Sequence, residues 1–148
     1  MIDSSKFKTT TLLVQSGNAV TNYRNVKMED IDLTSVQSDA IIALLRRQSI
    51  TATELKEHLR LSQSTTAGII SRLETKGLIC RAIDKDDARK ALLRTTEEGK
   101  KLEEPLKEIA LDVQTCLTDG MSESEVCEFD RLLQKALDNL NQIRTGKN

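Results

Sequence analysis

Apolar residues return at helical spacing through most of the chain, and the interruptions divide it into segments. In residues 5–27, Leu13, Val20 and Tyr23 repeat near that period. Thr9, Thr10, Thr11 and Gly17 are poor helix formers, so a first helix here needs tertiary or intersubunit support. Thr34-Ser-Val-Gln37 has the form of a capping box opening a helix to about Gln48, with Ile41, Ile42, Leu44 and Leu45 as core positions. Thr51-Ala-Thr-Glu54 is a second box and starts a short helix to Leu59, with Leu55 and Leu59 on one face. Ser62 caps the next helix, which runs to about Lys76 with Thr66, Ile69, Ile70 and Leu73 in one sector and Gly77 as its stop.

Residues 78–83 and 91–95 then read as two short strands around a charged tip, Asp84-Lys-Asp-Asp-Ala-Arg89-Lys90. From Thr96, an N-cap residue, a long helix is predicted toward Asp119, with Leu102, Leu106, Ile109, Val113, Cys116 and Leu117 on one face. Pro105 predicts a bend in it, and Gly120 its end. Ser122-Glu-Ser-Glu125 is a third capping box. It opens a last helix with a stripe of Val126, Phe129, Leu133, Ala136, Leu137, Leu140 and Ile143, and a frayed tail over residues 145–148. The pattern predicts a mainly α protein with a small β-hairpin (α+β), in one domain spanning 1–148. Residues 33–99 form a winged helix-turn-helix, and 1–30 and 100–145 supply dimerisation helices.

Composition narrows the class. Aromatic residues are 2 % of the chain and charged residues 30 %, the profile of a helix-rich core of Leu, Ile, Val and Ala. The longest wholly apolar run is residues 40–45, too short for a membrane span, and the first residues lack a signal-peptide pattern, so the cytoplasm is the expected location. Cys80, Cys116 and Cys127 make no Cys-x-x-Cys pair, and His58 is the only histidine. Neither a disulfide framework nor a metal or cofactor site is expected. Cys116 and Cys127 read as small core residues. Cys80, on the first wing strand, reads as structural filler and is also the candidate for a redox switch. No Gly-rich phosphate loop or nucleophile partner for His58 is evident, so the chain does not read as an enzyme.

The net charge of −1 conceals an asymmetry. Residues 46–101 carry 13 Lys or Arg against 8 Asp or Glu, hence +5, and the remainder carries 9 against 15, hence −6. A basic module between acidic ends is the footprint expected for phosphate binding. A helix that enters the major groove needs a slim face with donors and acceptors near its N-terminus, and Gln63, Ser64, Thr65 and Ser71 meet that need. Arg89 at a hairpin tip suits a minor groove, with Asp87 either holding the hairpin or orienting the arginine.

These motifs carry a resemblance. Leu33-Thr34, Thr51-Ala-Thr-Glu-Leu55, Leu61-Ser-Gln-Ser-Thr65, Arg72-Leu-Glu-Thr-Lys-Gly-Leu78, and Asp87-Ala-Arg89 through Thr96-Glu-Glu-Gly99 resemble the MarR (multiple antibiotic resistance regulator) family of transcription factors. The resemblance implies a homodimer built by the first and last two helices, binding double-stranded DNA at a pseudopalindrome. It implies a repressor released by a small-molecule effector or an oxidant. It also implies that Arg89 is the minor-groove arginine and that Gln63, Ser64, Thr65, Ala67, Gly68 and Arg72 face DNA, with Ser71 and Lys90 beside them. The chain departs from the family pattern at Ala88, Gly68 and Thr95. Fewer cationic contacts imply weaker binding and a shallower salt dependence, and Thr95 implies a looser wing base. The neutral recognition face also leaves open a second reading, a winged module that binds a protein instead of DNA.

Overall fold

The computed structural model describes residues 4–145. Its backbone divides into two compact units, the first ending at Val113 and the second beginning at Gln114.

In the first unit a short 3-10 turn, Ser4–Phe7, leads into α1, Lys8–Met28. Residues 6–19 are exposed throughout, including Phe7, Leu12, Leu13 and Val14. Support reaches only the last turns. The Arg24 guanidinium pairs with Asp39 and donates to Ser38 Oγ at 3.1 Å, and the Tyr23 hydroxyl donates to Asp112 Oδ2 at 2.8 Å.

α2, Ser35–Arg47, opens on the predicted box: the Gln37 amide donates to Thr34 Oγ1 at 3.3 Å, and the Thr34 amide to Gln37 Oε1 at 3.1 Å. Ala40, Ile41 and Leu44 are fully buried, and Ile42 and Leu45 pack at the margin. α3, Ala52–Leu59, repeats the device, with the Thr51 amide donating to Glu54 Oε2 at 2.7 Å. α4, Gln63–Thr75, is capped by Ser62 Oγ, which accepts from the Thr65 amide at 3.2 Å. Its core sector of Thr66, Ile69, Ile70 and Leu73 is buried as predicted, and Gly77 leaves the helix at φ +71°, a conformation that favours glycine.

β1, Ile79–Ile83, pairs antiparallel with β2, Ala91–Thr95, so that Ile79 faces Thr95 and Ile83 faces Ala91. The sequence gives no sign of a third partner, but Ile50 bridges to Leu93 through two backbone bonds, 3.2 and 2.7 Å. That bridge ties the α2–α3 connection to the free edge of β2 and buries both side chains in the core. The wing base is held tightly: Thr96 donates from its amide to Leu78 O at 3.0 Å and from its hydroxyl to Gly77 O at 2.6 Å.

The long helix predicted from Thr96 is two helices, α5, Glu97–Lys100, and α6, Glu103–Leu117. The predicted bend at Pro105 is therefore a break one turn earlier. A proline ring clashes with the carbonyl four residues back, here that of Lys101, and the chain leaves the α-helix at residues 101–102. Pro105 itself falls in the first turn of α6, where the amide it lacks would have had no partner within the helix.

The second unit holds the end of α6, a turn with Gly120 at φ +77°, and α7, Glu123–Thr145. The third capping box forms, with the Ser122 amide donating to Glu125 Oε2 at 2.8 Å. Leu132, Leu137, Leu140 and Ile143 are exposed. Residues 146–148, where fraying was expected, lie outside the described residues.

The second capping box makes a pH prediction. Hydrogen bonds from the Thr51 amide and hydroxyl hold the Glu54 carboxyl below the usual carboxylate range. Because the folded-state pKa is depressed, the stabilisation is present above the unfolded pKa and is lost as pH falls through the folded one. Glu54→Gln should therefore be less stable than the parent at pH 7, with the gap closing in acid. Urea unfolding at both pH values measures it, and a gap that stays constant would refute the assignment.

Candidate nucleic-acid interface

The sector of α4 opposite its core face carries Ser64, Gly68, Ser71 and Thr75, flanked by Gln63, Thr65, Ala67 and Arg72. Of these, Gly68 is half-buried and the others are exposed. The hydroxyls are partly self-satisfied: Ser62 Oγ lies 3.2 Å from Ser64 Oγ and donates to Thr65 Oγ1 at 2.8 Å, and Thr75 donates to Ser71 O at 2.9 Å. A side chain at Gly68 would meet nothing within 4 Å. Packing therefore does not require that glycine, and the face is bare because of its sequence.

The wing tip is built by acidic residues that cap the backbone. The Arg89 amide donates to Asp87 Oδ1 at 3.0 Å, and the Asp86 amide to Asp84 Oδ1 at 2.9 Å. The Lys90 amide returns to Asp87 O at 2.9 Å, and Asp84 and Lys90 close the loop at 3.1 Å. Of the two roles open to Asp87, the geometry is that of holding the hairpin. Its carboxylate bonds the main chain of Arg89, while the exposed guanidinium enters no ion pair among the described residues.

The unpaired cations follow a pattern that sequence reasoning did not extract. Outside the module, Arg24, Lys27, Lys107 and Arg131 each have a carboxylate partner, while Lys6, Lys8 and Lys135 form no ion pair among the described residues. Inside it, Arg46, Arg47, Lys56, Arg60, Arg72, Lys85, Arg89, Lys90 and Arg94 form no ion pair among the described residues. Four cations there are paired among the described residues: Lys76 with Asp32 at 2.9 Å and Arg81 with Glu74 at 2.8 Å secure the scaffold, and Lys100 and Lys101 pair with Glu97 and Glu98 within one helical turn. Of the unpaired cations, only Arg72, Arg89 and Lys90 were singled out from the sequence. The charge asymmetry over residues 46–101 was the signal for the rest.

Two expectations about cysteine are corrected. Cys116 and Cys127 are exposed, not core residues, because the apolar helix faces they adjoin are themselves uncovered in the single chain. Cys80 is also exposed and is not filler; it lies across the hairpin from Arg94. His58 is on the surface, and among the described residues no group of His, Cys, Asp and Glu is placed to hold a metal.

A short helix, a tight turn, a second helix with an outward polar face, and a cationic hairpin define a winged helix-turn-helix protein. A model of the MarR family matches residues 33–91. That match covers the winged module, and over it the chain is similar to DNA-binding transcriptional regulators of the MarR family. Among curated relatives it is similar to the organic hydroperoxide resistance transcriptional regulator of Bacillus subtilis, 29 % identical over 102 residues, which are 69 % of this chain and 67 % of the relative. Among solved structures, a mutant MarR from E. coli complexed with operator DNA superposes with a TM-score of 0.83 at 22 % identity, covering 93 % of this chain and 99 % of that one. A MarR transcriptional regulator from Methanosarcina mazei Go1 gives 0.81 at 26 % identity with the same coverage.

Proposed function

We propose that the protein is a cytoplasmic homodimeric repressor that occupies a pseudopalindromic operator and leaves it when a small molecule or an oxidant acts. The observation that carries the reading is the concentration of unpaired cations around a slim, hydroxyl-rich helix. Gln63, Ser64, Thr65, Ala67, Gly68, Ser71 and Arg72 would lie along the major groove, and Arg89, with Lys90 beside it, would reach the minor groove. Asp87 shapes the tip from which Arg89 extends. In this arrangement residues 33–99 read DNA, and residues 1–30 and 100–145 pair two subunits. The uncovered Leu12, Leu13 and Val14 of α1 and Leu137, Leu140 and Ile143 of α7 support that pairing, since such residues are seldom left in water as a set.

A cleft of about 480 Å³ between the end of α2, β2 and the start of α6 supports small-molecule control. Leu44 and Leu45 supply an apolar wall, and Arg94, which forms no ion pair among the described residues, suits an anion beside Glu103 and the Lys100–Glu97 pair. The oxidant route would run through Cys80, which is exposed on β1.

Selection from random DNA should recover half-sites about 10–10.5 base pairs apart, centre to centre. Arg89→Ala should weaken binding to the selected site by at least about 1 kcal/mol and reduce the salt slope by about 1. An unchanged slope and affinity would remove the wing from the interface. A selection that enriches no site, with a protein partner captured instead, would favour the protein-binding reading that the neutral face of α4 leaves open.

A further inference from the structure

We propose that a cleft of about 210 Å³ between α3, α4 and β1, with Lys56 and Arg81 among its lining residues, seats one phosphate of the DNA backbone. The inference rests on the DNA-binding reading and adds a backbone contact beside those assigned to the outward face of the recognition helix and to the wing tip. Gln63 and Ala67 line the cleft from α4. On the helix they mark the edge between the outward sector and the core sector, the flank beside which a groove wall runs when the helix lies in the groove.

The chemistry of the cleft suits a phosphodiester oxygen pair. Arg81 donates from Nε to Glu74 Oε1 at 2.8 Å, which fixes the plane of its guanidinium and leaves the terminal amino groups without a hydrogen bond among the described residues. A planar, pre-oriented fork is the geometry that binds phosphate in two places at once. Lys56 comes from α3, forms no ion pair among the described residues, and is half-buried, which limits the freedom of its stem. Thr53, one turn earlier on α3, adds a hydroxyl with no hydrogen bond among the described residues. Glu74 offsets one of the two cationic charges and the cleft keeps a net positive charge.

The test uses the full-length protein on its selected site, with salt titrations and a scan in which single phosphates are replaced by neutral methylphosphonates. Lys56→Gln should lower the salt slope by about 0.9 for each module engaged while leaving the preferred sequence unchanged. One phosphate should matter in the scan of the parent and cease to matter in the scan of the variant. Arg89→Ala, run in parallel, should retain sensitivity at that phosphate. If Arg89→Ala weakens binding while Lys56→Gln leaves slope and scan as in the parent, the cleft proposal is overturned and DNA reading stands. If the parent enriches no sequence, both fall together.

Discussion

Leu137→Glu combined with Leu140→Glu should turn the protein into a monomer and reduce its affinity for a complete operator by roughly 10²- to 10⁴-fold. The size follows from losing the second module's engagement at high effective concentration, with no contact to DNA altered. Both leucines are exposed on α7, at 43 % and 56 %, so the single chain obtains little from them. Neither belongs to the core that holds the winged module. Sedimentation or light scattering reports the assembly state, and circular dichroism checks that helices persist. Binding to an isolated half-site should be nearly unchanged. A variant that remains dimeric, or a monomer that keeps full operator affinity, would show that α7 does not join the subunits.

Gly99→Ala should destabilise the fold by about 2–4 kcal/mol, lowering the melting temperature by roughly 5–15 °C. Gly99 is buried where α5 crosses the exit of α4, and an added methyl would collide with the backbone oxygen of Leu78 and press on Thr95 Cβ at 3.3 Å. That oxygen cannot retreat without loss, because it accepts from the Thr96 amide. Gly68→Ala is the opposite case within the same module. Its methyl meets nothing within 4 Å, and replacing a helical glycine should stabilise the protein by about 1 kcal/mol. Thermal unfolding of the two variants separates a glycine required by close approach from one that is not. Equal effects would mean that the approach of α5 to Leu78 is looser than described.

Local chemistry made most of the fold legible. The three capping boxes at Thr34, Thr51 and Ser122 form hydrogen bonds between residues three apart, so the sequence contains the whole interaction. Gly77 and Gly120 take positive φ for the same local reason. What escaped depends on distant partners. The bridge between Ile50 and Leu93 is a single pair and has no period to detect. The helix break one turn before Pro105 sits where α5 is pinned under Leu78, a contact 21 positions apart that no window of sequence displays. Cys116 and Cys127 were misjudged because an apolar helix face is the same pattern whether its cover is the same chain or another.

The candidate site was legible by position more than by state. The placing of Arg72, Arg89 and Asp87 is a matter of order along the chain. Whether a cation is already neutralised is a matter of three-dimensional neighbours, as Lys76 and Asp32 show across 44 positions. Lys76 is thereby engaged by a carboxylate while Arg94 is not, a distinction their residue types do not carry.

The exit of α4 is held from two sides, by Lys76 to the carbonyl and carboxylate of Asp32 and by Thr96 to Gly77 O. The end of α4 is thus anchored to the connection before α2 on one side and to the start of α5 on the other. It cannot swivel alone without giving up both attachments. In the proposed dimer, any signal that reaches DNA through these helices should displace α4 together with its attachments, altering the number of base pairs preferred between half-sites and leaving the letters within each half-site the same.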